Sequence, residues 1–154
     1  MDLTDLLTPQ GVIANLRAAT KKQVLQELAR RAAAASSVPD RTIYDAVAER
    51  ERLGSTGIGM GIAIPHGKLG GLSRMYAAFA RLDRPIPFEA IDDQPVDLVF
   101  LLLAPEDAGA EHLKALAQVS RLLRDRAICQ KLRGTDRADA LYILLTDQTA
   151  SHPA

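Results

Sequence analysis

The fold assignment of this chain starts from the segment Gly54-Ser-Thr-Gly-Ile-Gly-Met-Gly-Ile-Ala-Ile-Pro-His-Gly-Lys68. Because glycine adopts backbone conformations that other residues avoid, the segment is predicted to be a loop around one short strand, Ile62–Ile64. Pro65 fixes one backbone dihedral after this strand, and Gly67 leaves space beside His66. The segment therefore presents an imidazole on a stiff support at the end of a strand.

Two helices are predicted before this segment. Thr20 and Gln23 form a capping-box pattern at the start of the first helix, which ends near Ser36. The second helix follows Pro39, with Asp40 as its expected N-cap, and it ends at Gly54. Helical spacing predicts an inward stripe along this second helix at Ile43, Ala46, Val47, Arg50 and Leu53.

Strands are predicted in the middle of the chain and helices again at its end. The predicted strands are Val12–Leu16 (a candidate edge strand), Met75–Leu82 and Val96–Leu103. A third helix begins near Ala110, with an inward stripe at Leu113, Leu116, Val119 and Leu123. Short helical pieces follow at Arg126–Leu132 and Asp136–Ala140, and Leu141–Leu145 fits either a strand or a helix.

These elements predict an α/β fold, with a mixed β-sheet flanked by helices in a single-domain α/β sandwich. The length of 154 residues suits one domain. We expect the domain to span residues 1–147 and residues 148–154 to form a flexible C-terminal tail, with His152 as a solvated bystander.

Charge and composition disfavour nucleic-acid binding and membrane insertion. The chain has 19 basic and 19 acidic residues, 4% aromatic residues and no basic run longer than two. The longest apolar run, Leu98–Ala104, is far shorter than the roughly 20 residues that span a bilayer. Because the N-terminus also lacks a signal-peptide pattern, the protein is expected in the cytoplasm. Cys129, the single cysteine, is expected to be a buried small hydrophobe.

Three side chains are candidates for chemistry, and each has a structural alternative. His66 is a nucleophile if its ring is uncharged, or else a loop histidine without a role. His112 shares the buried stripe of the third helix near its N-terminus, so it either satisfies a core hydrogen bond or faces an anion. Arg50 lies on the apolar side of the second helix, from which it extends to solvent or binds phosphate oxygens.

Common cofactor and metal motifs do not fit the sequence. Gly67-Lys68 is followed by Leu69 rather than Ser or Thr, so no P-loop is present. Ile62 and Ile64 stand where a dinucleotide fingerprint requires its last glycine. Neither a zinc motif with two spaced histidines nor a nucleophile elbow occurs. We therefore expect neither an organic cofactor nor a metal ion.

Three segments carry a resemblance to a known family. The segment Glu49-Arg-Glu-Arg-Leu-Gly-Ser-Thr-Gly-Ile-Gly-Met-Gly-Ile-Ala-Ile-Pro-His-Gly-Lys68 closely resembles the active-site segment of enzyme IIA proteins of the fructose–mannitol class. These proteins belong to the bacterial phosphoenolpyruvate-dependent phosphotransferase system (PTS), as EIIA type-2 domains. Phe88–Leu103 and His112–Leu123 match two further segments, and the likeness covers about Leu3 to Asp147. Gly54–Gly59 and Ala90–Leu98 are most similar to the nitrogen-regulatory subgroup, enzyme IIA-Ntr (PtsN).

The resemblance implies a histidine phosphocarrier. His66 would be the phosphorylated nucleophile, His112 the second active-site histidine, and Arg50 part of the same pocket. Ser55 and Thr56 would be phosphate-loop donors. The expected phosphoryl donor is an HPr-like histidine phosphocarrier protein, and the expected acceptors are nitrogen- or potassium-related regulatory proteins, or an enzyme IIB.

Three hypotheses about function follow. The first is a regulatory phosphocarrier whose phosphorylation state controls its partners. The second is a transport component that passes phosphate to a separate fructose- or mannitol-type enzyme IIB. The third is a binding module in which the histidines are structural or bind a metal.

Overall fold

The computed structural model describes residues 2–147, so the predicted tail and His152 lie outside the described residues. These residues form six strands and five α-helices, preceded by a short 3-10 turn at Leu3–Asp5. In chain order the elements are β1 (Leu7–Leu16), α1 (Lys21–Ser36), α2 (Asp40–Arg52), β2 (Gly57–Gly59), β3 (Ile62–Ala63), β4 (His66–Leu69), β5 (Tyr76–Ile86), β6 (Val96–Pro105), α3 (Gly109–Arg124), α4 (Arg126–Arg133) and α5 (Ala138–Thr146).

The six strands form one mixed sheet, in which five have the order β1-β5-β6-β3-β2 and the sixth, β4, also pairs with β6. Strand β6 is its centre, because it pairs antiparallel with β5 on one side and parallel with both β3 and β4 on the other. Strand β1 is at one edge, where it pairs in parallel with β5. The predicted mixed sheet flanked by helices in a single α/β domain is confirmed.

Strands β3 and β4 follow each other along the same side of β6 and are separated by Ile64 and Pro65. Ile62 pairs with Leu98 at the start of this side, and His66 pairs with Leu102 further along. Proline has no backbone N–H to donate to a ladder, which interrupts the pairing. The Pro65 carbonyl nevertheless accepts a hydrogen bond of 2.9 Å from the N–H of Leu102, so the break stays tied to the central strand.

Two apolar layers cover the two faces of the sheet. Alternate residues of β6 enter opposite layers, which explains why this strand is apolar almost throughout. One layer packs under α1 and α2, and the other packs under α3, α4 and α5. Cys129 is buried in the second layer, as predicted.

Several boundaries and caps differ from the sequence prediction. The Thr20 cap is confirmed, because its hydroxyl accepts from the N–H of Gln23 at 3.2 Å. Asp40 is not an N-cap but the first residue of α2, and Pro39 occupies the cap position without a side-chain hydrogen bond. The ambiguous segment near residue 141 is part of helix α5, which begins at Ala138. His66 does not end a strand but begins β4.

The predicted inward stripes were wrong at Leu53 and Leu113, which are 79% and 69% exposed. In α2 the buried positions are Ile43, Val47 and Glu51, spaced by four residues. The helix is therefore rotated relative to the predicted stripe, which leaves Leu53 outside. Within residues 2–147, no helix combines the length and the apolar character needed to cross a membrane.

Candidate functional site

His66 is held on the sheet by its own backbone neighbourhood. It is the first residue of β4 and is half-buried. Its Nδ1 lies 2.9 Å from the carbonyl oxygen of Ile64. Because a carbonyl oxygen only accepts hydrogen bonds, the neutral ring carries its proton on Nδ1 and keeps the lone pair of Nε2 available.

His112 lies opposite this ring in the first turns of α3. Its side chain is buried, with 5% of the residue exposed, and the ring centroids of His66 and His112 are 5.6 Å apart with the planes at 68°. In the described part of the chain, Nε2 of His112 is buried and has no hydrogen-bond partner. A buried polar atom without a partner costs about 1–3 kcal/mol, so this arrangement favours a site for a ligand with acceptor atoms.

The sheet register explains why the two histidines meet. His66 pairs with Leu102 and Lys68 pairs with Ala104, and both β6 residues belong to the layer beneath α3. Side chains alternate between faces along a strand, so His66 and Lys68 point to the same side as that layer. His112 is among the buried residues of α3, which covers this face.

Arg50 reaches the site from the last turn of α2. It is half-buried, and one of its terminal nitrogens donates to the carbonyl oxygen of Gly54 at 2.8 Å. A cation is favoured at a helix C-terminus. The charge of Arg50 acts on His66 electrostatically, so the structure brings this third predicted residue into the same neighbourhood.

The electrostatics of the site favour uncharged imidazoles. Burial lowers the pKa of His66 from its usual value, an effect that the hydrogen bond with Ile64 opposes. The charge of Arg50 lowers this pKa further, whereas the carboxylate of Glu51 raises it. Burial also lowers the pKa of His112, with smaller contributions from His66 and Lys68. Near neutral pH, His66 is therefore a free base with nucleophilic character.

The hydroxyls of Ser55 and Thr56 are already engaged inside the protein. Oγ of Ser55 donates to the carbonyl oxygen of Phe88 at 2.7 Å and accepts from the N–H of Gly57 at 3.1 Å. The hydroxyl and the N–H of Thr56 both donate to the carboxylate of Glu51. A phosphate-binding role for these two residues stays a prediction, and their observed contacts fix the loop.

Glu51 and Lys21 belong to this neighbourhood but were not singled out from the sequence. Glu51 is 8% exposed, and its Oε2 lies 3.1 Å from Nζ of Lys21 at the start of α1. The sequence did contain a signal for the burial of Glu51, because this residue follows Ile43 and Val47 at a spacing of four on the buried side of α2. A carboxylate on such a stripe indicates a buried partner.

Comparisons with known proteins place the chain in a family. Residues 5–148 match the family model described as phosphoenolpyruvate-dependent sugar phosphotransferase system, EIIA 2. This match covers most of the chain. The protein therefore belongs to the type 2 EIIA family, the phosphotransfer components that the sequence resembles.

Individual relatives refine this picture. A protein of Bradyrhizobium diazoefficiens named nitrogen regulatory protein is 54% identical over 145 residues, which cover 94% of this chain and 95% of that protein. A fructose-specific EIIA component of the PTS from Haloferax volcanii is 40% identical and covers 96% of this chain and 98% of its own length. The crystal structure of nitrogen regulatory protein IIA-Ntr from Neisseria meningitidis superimposes with a TM-score of 0.89 at 32% identity, covering 94% of this chain and 99% of that one.

Proposed function

We propose that this protein is a histidine phosphocarrier that accepts a phosphoryl group on Nε2 of His66 from an HPr-like histidine phosphocarrier protein. The geometry around His66 carries the proposal. Its Nδ1 is engaged by the carbonyl of Ile64, and its ring stands 5.6 Å from that of His112. The remaining nitrogen is a nucleophile on a ring that lies beside His112, whose buried Nε2 has no hydrogen-bond partner among the described residues.

Phosphoryl transfer between two histidines needs no cofactor, because the bonds and electrons balance between the two rings. Nε2 of His66 attacks the phosphorus atom in line with the phosphorus–nitrogen bond of the donor's phosphohistidine. A new phosphorus–nitrogen bond forms as the old one breaks, and the electron pair of the old bond stays on the donor's ring. The phosphorylated ring of His66 becomes positively charged, and the hydrogen bond from Nδ1 to Ile64 stabilises it.

Arg50 and His112 would stabilise the phosphoryl oxygens. Arg50 supplies a permanent charge and a planar set of donors suited to phosphate. His112 would donate from Nε2, which gains the acceptor that the described structure does not provide. Stabilisation by preorganised donors is the main contribution that a protein can make to phosphoryl transfer. Ser55 and Thr56 would contribute through the loop that they fix.

The regulatory role follows from the charge of the product. The phosphoryl group itself carries about two negative charges and places them at a half-buried position. Such a change alters which partners dock, through attraction or like-charge repulsion. The 54% identical relative named nitrogen regulatory protein supports a role in nitrogen regulation. The expected compartment for this exchange is the cytoplasm.

A second candidate function is sugar transport, with transfer of the phosphoryl group to a separate fructose- or mannitol-type enzyme IIB. The relative named fructose-specific EIIA component supports this alternative, because the likeness spans nearly all of both chains. The acceptor chemistry on His66 is the same in both cases, so only the downstream partner distinguishes them.

The test of the phosphocarrier role is intact-protein mass spectrometry after incubation with phosphoenolpyruvate, enzyme I and the HPr-like carrier. We expect an acid-labile, base-stable phosphoryl adduct on the wild-type protein and none on His66→Ala. Lack of an adduct on the wild type, or an adduct that persists on His66→Ala, would contradict the proposal.

A second measurement separates the two downstream roles. The labelled phosphoprotein is mixed with fructose- or mannitol-type enzyme IIB and the corresponding sugar. Retention of the label on this chain supports the regulatory role. Rapid transfer to enzyme IIB with sugar phosphorylation shows the transport role instead.

A further inference from the structure

Glu51 is the acceptor at the centre of a buried hydrogen-bond cluster behind the site. Among residues 2–147, the buried residues with polar or charged side chains are Glu51, Thr56 and His112. The carboxylate of Glu51 accepts from the N–H of Thr56 at 3.0 Å, from the Thr56 hydroxyl, and from Nζ of Lys21 at 3.1 Å. A buried carboxylate requires this degree of pairing, because its desolvation is otherwise too costly.

The cluster connects to the imidazole of His66 through the backbone. The N–H of Ile64 donates to the carbonyl oxygen of Thr56 at 3.0 Å. The carbonyl oxygen of Ile64 in turn faces Nδ1 of His66 at 2.9 Å. Hydrogen bonds therefore join Glu51 to Thr56, Thr56 to Ile64, and Ile64 to the ring of His66, so the position of each residue depends on the one before it.

Lys21 provides the positive charge that pairs with Glu51 in this cluster. Its side chain is 20% exposed, and Nζ lies 3.1 Å from Glu51, 3.5 Å from the exposed Glu89 and 4.6 Å from the ring centroid of Phe88. The ion pair neutralises Glu51, whose negative charge would otherwise oppose an incoming phosphoryl group. Lys21 comes from α1, so the pair also joins this helix to the end of α2.

We propose that Glu51, paired with Lys21, is a positioning residue for phosphoryl transfer: by holding Thr56 it fixes the Ile64 carbonyl that selects the reactive tautomer of His66. This inference rests on the proposed function, because it assigns a task to Glu51 in that same reaction. Glu51 does not touch the phosphoryl group. It acts through Thr56 and Ile64.

The proposal requires two separable effects of the pair on His66. The first is geometric, since loss of the Glu51 carboxylate releases Thr56 and with it the orientation of the Ile64 carbonyl. The second is electrostatic, since the charges that act on His66 include Arg50 and Glu51 from α2. His112 from α3 is coupled to His66, and Lys68 acts on His112. Removing the charge of Glu51 or of Lys21 therefore shifts the pKa of His66 in a direction that can be stated in advance.

The experiment measures the tautomer and the pKa of His66 by ¹⁵N NMR in the unphosphorylated full chain. Glu51→Gln removes the negative charge that raises the pKa of His66, so this pKa is expected to fall. Lys21→Met leaves Glu51 unneutralised, so the pKa is expected to rise. Opposite shifts are a signature that general loosening of the fold would not produce.

Glu51→Ala tests the geometric effect. We expect the Nδ1-protonated form, dominant in the wild type, to give way to a mixture of both tautomers. The rate constant of phosphoryl transfer should fall at least about tenfold with little change in KM for the carrier, because misorientation of a reacting group costs rate rather than affinity. If this variant does not fold, the opposite shifts expected for the pKa of His66 in Glu51→Gln and Lys21→Met remain as the test of the proposal.

Matched controls come from exposed neighbours. Glu49→Gln removes the same charge from α2, where Glu49 pairs with Arg52, and Lys22→Met removes the same charge from α1. Both should leave the tautomer, the pKa of His66 and the transfer rate at wild-type values. Lys21→Arg keeps the cation and should restore wild-type behaviour.

Two results would overturn the positioning role. One is a folded Glu51→Ala protein with the wild-type tautomer and rate. The other is a pair of charge variants whose His66 pKa shifts in the same direction or not at all. Failure of the wild type to accept phosphate would instead refute the proposed function, and the tautomer and pKa measurements would still decide what Glu51 does to His66.

Discussion

Nδ1 of His66 and the carbonyl oxygen of Ile64 lie 2.9 Å apart across the Pro65 break. This contact commits one ring nitrogen and leaves Nε2 to react. We therefore expect the phosphoryl adduct on Nε2, and phosphorus–nitrogen coupling in NMR spectra of the phosphorylated protein identifies the bonded atom. An adduct on Nδ1 would require the contact with Ile64 to break and would contradict this assignment.

Replacement of His112 by phenylalanine is expected to separate stability from activity. The buried Nε2 of His112 has no partner in the described structure, so its removal relieves a cost of about 1–3 kcal/mol. Thermal unfolding should show a Tm of His112→Phe equal to or above that of the wild type. Phosphoryl transfer should slow by about 100-fold or more, because a donor to the phosphoryl oxygens is lost.

An unfolded His112→Phe protein would contradict this prediction, because it would show that the core depends on the imidazole. Wild-type transfer by a folded His112→Phe protein would exclude it from the reaction. Leu116→Ala, a half-buried position one turn further along α3, provides a packing control.

The transfer rate is expected to fall as the pH drops through the pKa of His66. Because burial and Arg50 lower this pKa, the fall begins below the usual histidine value of 6.5. A rate profile from pH 5 to 8, with the donor prepared separately, measures it. A midpoint above 6.5 would contradict the direction of the shift.

Stability should show a related dependence on pH. In the folded protein His66 and His112 have lowered pKa values, so the unfolded chain binds more protons below about pH 6.5. The contribution of these groups is therefore favourable above the unfolded-state pKa and is lost as the pH falls towards the folded-state values. His112→Phe should reduce the loss of unfolding free energy between pH 7 and pH 5, as measured by denaturant titration.

Leu53 and Leu113 are expected to contact the carrier protein. They are 79% and 69% exposed, and they adjoin the segments that carry Arg50 and His112. Leu113→Ser should raise KM for the phosphorylated carrier by about tenfold, equivalent to about 1.4 kcal/mol, without changing Tm. Ile143→Ser is the matched control, since Ile143 is 59% exposed on α5. Equal effects of both substitutions would contradict a local docking role.

Gly57 and Gly109 are expected to respond differently to alanine. A Cβ on Gly57 would lie 2.7 Å from Cβ and 2.9 Å from Cα of Ala90, whereas one on Gly109 meets nothing within 4 Å. Gly57→Ala should lower the free energy of unfolding by about 1–3 kcal/mol through overpacking. Gly109→Ala should leave it unchanged or raise it by up to about 1 kcal/mol. Denaturant unfolding measures both, and an equal response would contradict the packing at Ala90.

The sequence predicted the long elements well because their periodicity is strong. The predicted run Val96–Leu103 lies within β6, and Met75–Leu82 lies within β5 apart from Met75, which directly precedes the strand. Burial of both strands on both faces requires nearly continuous apolar residues. Strands β2 and β4 were missed, because short glycine-rich segments carry almost no periodic pattern. Strand β4 also pairs with a strand more than 30 residues away, β6, whereas β2 pairs with the adjacent β3.

The site was predictable in part for similar reasons. His66, His112 and Arg50 stand out as chemical groups at unusual positions, yet only the register of β4 on β6 places the two rings together. Glu51 was missed because a carboxylate is read as a solvent-facing residue. Its burial depends on Lys21, which is 30 positions away in the sequence.

The hydrogen bond between Pro65 and Leu102 ties the backbone beside the acceptor ring to β6, the central strand of the sheet. Displacing the backbone that carries the ring would require this pairing at the centre of the sheet to open. The free energy of opening a core strand approaches that of global unfolding, so the event is rare. The acceptor ring is consequently already oriented when a carrier protein docks, and docking only has to bring the donor phosphorus to it. Changes of partner can then evolve at the outer rim, one surface substitution at a time, while the reacting atom stays where it is.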